Sequence, residues 1–167
     1  MQTQVMFYLL NDDNPATGGE NSDVVNAPLF HAFNHACWQA AHFYRRNQGV
    51  FIYTQDQKNA HDIDEMLWAF EPDAFVPHNL VGEGPKNGAA VEISWQPPTK
   101  RRPILINLTS TVPNFAGQFS TIIDFVPVNE SLKQLARDRF RAYRQLGFRV
   151  DNQPAPQLQQ SIPAITS

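Results

Sequence analysis

The feature that most constrains this chain is a change of period that repeats along it. Short apolar runs alternate with longer stretches in which apolar residues recur every three to four positions. Val5-Met6-Phe7-Tyr8-Leu9-Leu10, ending at Asn11-Asp12-Asp13-Asn14-Pro15, suits a buried strand followed by a loop. Val50 to Thr54, Val91 to Ser94, Ile104 to Leu108 and Ile122 to Val126 read as further strands. Leu29, Phe30, Phe33, Ala36, Cys37, Ala40, Ala41 and Tyr44 lie on one face of a helix. Arg45 and Arg46 suit the negative end of its dipole, and Gly49 is expected to terminate it. Gln57 to Phe70 reads as a second helix closed by Pro72, and Glu130 to Leu146 as a third capped by Gly147. Strands alternating with helices predict a three-layer α/β/α domain around a mostly parallel sheet.

The remaining stretches are read from composition. Residues 71–90 hold three glycines and three prolines and are expected to form a long ordered loop. Lys100, Arg101 and Arg102 sit in a polar, hairpin-like stretch between two strands. From Asp151 the composition shifts to Pro, Gln and Ser, so a single domain over 1–150 and a mobile tail over 151–167 are expected.

The net charge of −3 argues against a protein that coats nucleic-acid phosphates, while leaving room for a local basic patch. Hydrophobic residues at 42% and charged residues at 17% suit a globular core rather than a disordered chain. A lone cysteine, Cys37, allows neither an internal disulfide nor a zinc cluster. The start of the chain lacks a signal-peptide pattern, and no apolar run reaches the ~18 residues of a membrane span. The expectation is a soluble, cytoplasmic protein with no membrane partner.

The α/β class often binds nucleotides, so phosphate loops and catalytic groups matter. Gly82-Glu83-Gly84-Pro85-Lys86-Asn87-Gly88 lacks the Gly-Lys-Ser/Thr of a Walker loop, has Asn87 where a dinucleotide fingerprint needs glycine, and loses a backbone N–H at Pro85. His31 and His35 have the spacing of a metal pair, but Ala32 stands where a zinc protease needs glutamate, so both read as surface histidines. Asp62, Asp64 and Glu65 read as a solvated helix face, Ser94 and Ser110 lack a nucleophile elbow, and Cys37 reads as inert core. No catalytic residue, metal or cofactor is expected.

Two surfaces instead look built for partners. Ala60, Ile63, Leu67 and Phe70 form the apolar stripe of the second helix, and Trp68 points away from it. An aromatic residue on a polar face is characteristic of interfaces, and Phe75, Val76 and Pro77 would extend the same apolar area. On the third helix, Lys133, Arg137, Arg141 and Arg144 form a continuous basic stripe with Phe140 beside it. Leu132, Leu135, Ala136, Tyr143 and Leu146 would face the core. Such a stripe suits a peptide ending in an apolar side chain and a carboxylate. Its rivals are direct single-stranded DNA binding through the same helix and a nucleotide-binding enzyme.

Several stretches carry a family resemblance. They are Phe7-Tyr8-Leu9-Leu10, Asp64-Glu65-Met66-Leu67-Trp68, Phe75-Val76-Pro77-His78-Asn79-Leu80 with Gly82-Glu83-Gly84-Pro85, Asp124-Phe125-Val126-Pro127, Ser131-Leu132-Lys133-Gln134-Leu135-Ala136-Arg137, and Ala142-Tyr143-Arg144 with Gly147-Phe148. In order, over about 5–148, they resemble the chi subunit family of bacterial DNA polymerase III. The resemblance implies a nucleotide-binding-like topology without a phosphate loop and without known catalytic activity. It implies two partners: the psi subunit, which attaches chi to the clamp loader, and the acidic, phenylalanine-ended tail of single-stranded-DNA-binding protein. By matching motif, Arg137, Phe140 and Arg141 would hold that tail, with Val126 and Leu108 lining the pocket. Trp68 and Phe75 would face psi or, in some bacteria, a helicase, and DNA would be reached only indirectly. Family members often carry Tyr and Lys at positions 140 and 141; Phe140 and Arg141 keep the ring and the charge but lose a hydroxyl.

Overall fold

Alternate side chains along each strand enter two separate cores, and this divides the molecule into layers. In the computed structural model, which describes residues 2–10, 27–68, 78–80 and 90–156, seven strands and three helices form the fold. In chain order these are β1 (Gln4–Leu9), α1 (Ala27–Arg45), β2 (Val50–Thr54), α2 (Gln57–Trp68), β3 (His78–Leu80), β4 (Val91–Ser94), β5 (Ile104–Leu108), β6 (Thr121–Val126), α3 (Glu130–Gln145) and β7 (Arg149–Pro154). The sheet order is β3-β4-β2-β5-β6-β1-β7, and every neighbouring pair is parallel.

Val50, Ile52, Ile104, Ile106, Ile123 and Phe125 pack on one face with α1 and α2. Val5, Phe7, Phe51, Leu105 and Ile122 pack on the other with Ala136 and Tyr143 of α3. The order of strands explains the division. From β1 to β2 to β3 the chain steps one way across the sheet, and from β3 onward it steps back. Right-handed crossovers then place α1 and α2 on one face and α3 on the other. No helix among the described residues is long and apolar enough to cross a membrane.

The structure corrects four expectations from the sequence. Residues 78–80, expected within a loop, form the edge strand β3. The strands flanking Lys100 are not a hairpin, because β2 lies between β4 and β5 and pairs with both. The break expected at Asp151 falls inside β7, whose backbone continues the sheet beside β1. Finally, α1 is terminated by Asn47 rather than by Gly49. Asn47 adopts the left-handed φ of 62°, and the Asn47 and Gln48 N–H groups donate to the Tyr44 and Phe43 carbonyls at 2.9 and 3.0 Å. That is the Schellman closure, and α3 repeats it with Gly147 at φ 88° and the Phe148 N–H donating to the Tyr143 carbonyl at 3.2 Å.

Because β7 covers the edge of β1 and places Ala155 in the core, truncation after Phe148 should lower stability measurably. Several ladder hydrogen bonds worth ~1 kcal/mol each are lost, so a drop of at least ~2 kcal/mol in urea unfolding is expected. An unchanged midpoint would show that the strand contributes nothing to the fold.

Candidate functional site

The third helix is positioned by a polar contact buried in an otherwise apolar face. Asp124 lies on β6 between Ile123 and Phe125, on the side that faces α3, and is 1% exposed. Arg139 meets it with two nitrogens: Nη2 donates to Oδ1 at 2.9 Å and Nε to Oδ2 at 3.0 Å. The Tyr143 hydroxyl donates to Oδ2 at 2.9 Å and accepts from Asn107 Nδ2 at 3.1 Å. Arg139 also donates to the Phe125 and Ser110 carbonyls, and Thr109 donates from both its N–H and its hydroxyl to Asn107 Oδ1. Burial works against the Arg139 charge, but the Asp124 carboxylate outweighs it and holds the guanidinium above its ordinary pKa. Burial, and then the same carboxylate, push the Tyr143 hydroxyl well above its ordinary value.

This inward contact determines what points outward. Arg137 and Arg141 each lie two residues from Arg139, hence ~160° around the helix from it. Both are exposed, as is Arg144, while Lys133 is half-buried. Asn129 caps the helix by accepting from the Leu132 N–H at 3.1 Å. The stripe is partly answered by its own helix: Arg141 pairs with Asp138 at 3.2 Å, Lys133 with Glu130 at 3.9 Å, and Arg137 donates to Gln134 at 3.1 Å. Exposed pairs of this kind hold little energy and exchange readily for a better anion. Phe140 is half-buried, its ring 5.3 Å from that of Phe7, so it is held at the rim beside the stripe. Val126, at the end of β6, packs on the same side.

Three expectations fail here. Leu108 packs into the opposite core, with α1 and α2, so it does not line a surface with Val126. Leu135 and Leu146, expected to face the core, are 37% and 57% exposed. The buried arc is centred on Ala136, Arg139 and Tyr143, which leaves those leucines at its far edge. Arg139 itself was missed as a structural residue. The signal lay in Asp124, a carboxylate inside a strand, and in two groups able to hydrogen-bond to it one turn apart on α3.

The second surface lies at the β3 edge of the sheet. Trp68, at the end of α2, is 61% exposed, as its position against the stripe predicts. Its ring packs edge-on against His78, 4.9 Å away, and His78 Nε2 lies 3.3 Å from Asp64 Oδ1. Phe75, Val76 and Pro77 lie outside the described residues, as does the loop Gly82 to Gly88. With β4, β2 and β5 between β3 and β6, the two surfaces are separated by roughly 20 Å of sheet.

The other candidates resolve simply. His35 is buried against Phe125 rather than on the surface, while the side chain of His31 lies outside the described residues. Burial pushes the Cys37 thiol up to about 12. Asp62 pairs with Lys58 at 3.1 Å. Ser94 is buried and bonded to the Gln96 backbone.

Comparison with known proteins follows the same lines. The family model described as DNA polymerase III chi subunit, HolC, matches residues 2–151. The chain is 43% identical over 147 residues to the DNA polymerase III subunit chi of Escherichia coli (strain K12), covering 87% of this chain and 93% of that protein. It is 40% identical over 120 residues to the subunit of the same name from Haemophilus influenzae, covering 71% and 83%. The crystal structure of T4 UvsW superposes with a TM-score of 0.57 at 11% identity, over 92% of this chain and 41% of that one, which shows a shared fold alone.

Arg139→Met should destabilise the protein by ~3–5 kcal/mol, because it leaves the Asp124 carboxylate buried without its cation. Adding Asp124→Asn should recover a large part of that loss; a strictly additive pair in urea unfolding would refute the coupling. Tyr143 gives an independent check at high pH. Its hydroxyl stays protonated in the fold after the unfolded chain ionises, so stability should be intact below about pH 10 and fall above it, by up to ~1.4 kcal/mol per pH unit. Tyr143→Phe should remove that alkaline slope.

Proposed function

The chain belongs to the DNA polymerase III chi subunit family, and from that premise we propose that it is a non-catalytic adaptor of the replicative polymerase. In this reading α3 captures the acidic, phenylalanine-ended C-terminal tail of single-stranded-DNA-binding protein. The observation that carries it is the inward Arg139, which turns Arg137 and Arg141 to solvent beside the half-buried Phe140. A peptide carboxylate and its acidic neighbours would replace Asp138 and Gln134 at Arg141 and Arg137. The terminal ring would lodge against Phe140 and Val126, and Lys133 and Arg144 would extend the positive field along the tail. Leu108 has no place in this pocket, since it faces the other core.

The Trp68 surface, with Phe75, Val76 and Pro77, takes the psi subunit, which ties the adaptor to the clamp loader; a helicase would compete for the same surface. Through α3, DNA is reached only by way of its coating protein. The adaptor works in the cytoplasm without a cofactor. Because the two surfaces are well separated, both partners can be held at once.

A short tail making a few charge-assisted contacts should bind with a dissociation constant of roughly micromolar order. Fluorescence anisotropy of a labelled peptide matching that tail should show binding that weakens as salt rises. Arg141→Ala should weaken it at least about tenfold, the loss of one charge-assisted contact. A well-folded wild type that does not bind the peptide, or binding indifferent to salt, would overturn the proposal.

A further inference from the structure

Two of the cations exposed on α3, Arg137 and Arg141, are already engaged by neighbours on their own helix. Between 130 and 149 the chain has only two acidic residues, Glu130 and Asp138. Glu130 makes a loose pair with Lys133 at 3.9 Å. Asp138 is placed more closely. Its Oδ1 accepts from Arg141 Nη1 at 3.2 Å and from Gln134 Nε2 at 3.2 Å. Gln134 in turn accepts from Arg137 Nη1 at 3.1 Å through its own Oε1. The side chains Arg141, Asp138, Gln134 and Arg137 therefore form one connected string on the outer face of the helix, and all four are exposed. A single carboxylate supplies the only negative charge in that string.

The helix limits what Asp138 can do with Arg141. The two residues are three positions apart, and their contact uses one guanidinium nitrogen and one carboxylate oxygen. At Asp124, by contrast, Arg139 brings two nitrogens to two oxygens. A carboxylate that approaches Arg141 from solvent is free to adopt that second arrangement, the stronger of the two. Beside Asp138 it would also meet a like charge at close range, so its arrival favours the release of Asp138 to water. Such a release costs little, because the Asp138 side chain is 54% exposed. The contact could instead help the ligand by holding Arg141 in place. An exposed pair orders its arginine only loosely, so that contribution is smaller than the charge it masks.

We propose that Asp138 is a built-in competitor at the α3 site: it occupies Arg141 in the free protein and sets how tightly an acidic peptide can bind there. The inference rests on the tail-binding reading of α3 and adds the control of that site. A peptide carboxylate at Arg141 displaces Asp138 and replaces a one-nitrogen contact with a two-nitrogen one, so only the difference between the two contacts appears as affinity. Through Gln134 the same displacement loosens the contact at Arg137. The effect of Asp138 is to hold capture weak and readily reversed.

The test is anisotropy of the labelled tail peptide, titrated with the full chain at about 50 mM salt, where exposed pairs are little screened. Asp138→Asn keeps the size of the side chain and removes its charge, and it should tighten binding about threefold, the share of an exposed pair. In the Arg141→Ala background the same substitution should change affinity little, because the cation that Asp138 masks is gone. Asp62→Asn removes the carboxylate of the Lys58 pair on α2 and changes the net charge equally, and it should leave the affinity for the tail unchanged. A wild type that binds the peptide, with no gain or a loss in Asp138→Asn, would overturn this inference and leave the tail site standing. So would an equal gain in the Arg141→Ala background or with Asp62→Asn, since either would reduce the effect to net charge. A well-folded wild type that does not bind the peptide would overturn the tail-binding reading and this inference with it.

Discussion

A carboxylate sits where the alternation of β6 calls for an apolar side chain, and the arrangement of the α3 face follows from how that charge is answered. Burying an unpaired Asp124 would cost several kcal/mol. The cost is offset only if Arg139 and Tyr143, one turn apart on α3, both reach the carboxylate, and if Asn107 of β5 completes the hydroxyl's bonding. A purely apolar α3 could rotate or slide by a fraction of a turn and still bury comparable area. A helix held by a two-nitrogen guanidinium contact and a hydroxyl cannot. The pair therefore serves orientation more than net stability, and what it orients is the stripe on the far side of the helix.

The layered α/β plan was legible in the sequence because both periods were present and strong. The central strands carry β-branched and aromatic residues in unbroken runs, and their helices carry apolar faces of ordinary width. What escaped was the periphery. β3 is three residues long, and β7 reads Arg149-Val150-Asp151-Asn152-Gln153-Pro154, with one apolar side chain among polar ones. Each has a neighbour on one side only. An edge strand buries little, so composition there carries little information, and pairing with an already formed neighbour decides its conformation.

The site was legible in part, for a related reason. Helical spacing identified the outward faces, Trp68 and the Lys133–Arg144 stripe, because exposure on a helix follows from angle alone. It misassigned Leu135 and Leu146 because it assumed that leucines define the buried arc, whereas Arg139 occupies its centre. It also joined Leu108 to Val126 on resemblance, although strand parity sends these residues to opposite cores. The parity was readable: Leu105 and Leu108 differ by an odd number of positions and cannot share a face.

Net charge was the least informative summary of all. A value of −3 describes a chain in which eleven of the thirteen lysines and arginines fall at 45, 46, 100–102 and between 133 and 149. Over a Debye length of ~8 Å, a partner senses only the charges beside it. The α3 stripe therefore acts as a positive surface whatever the rest of the chain carries. The cations nonetheless differ in kind. On α3 the arginines face Asp138 and Glu130 from their own helix, which tempers the field and favours a ligand that can displace those contacts with a carboxylate of matching geometry. Beside Gly49, by contrast, Arg102 is buried and paired with Glu92 at 3.1 Å, so its charge is held by the sheet and is not offered to a ligand. The same guanidinium chemistry thus serves recognition where it is exposed on α3 and architecture where it is buried, at Arg139 on Asp124 and at Arg102 on Glu92.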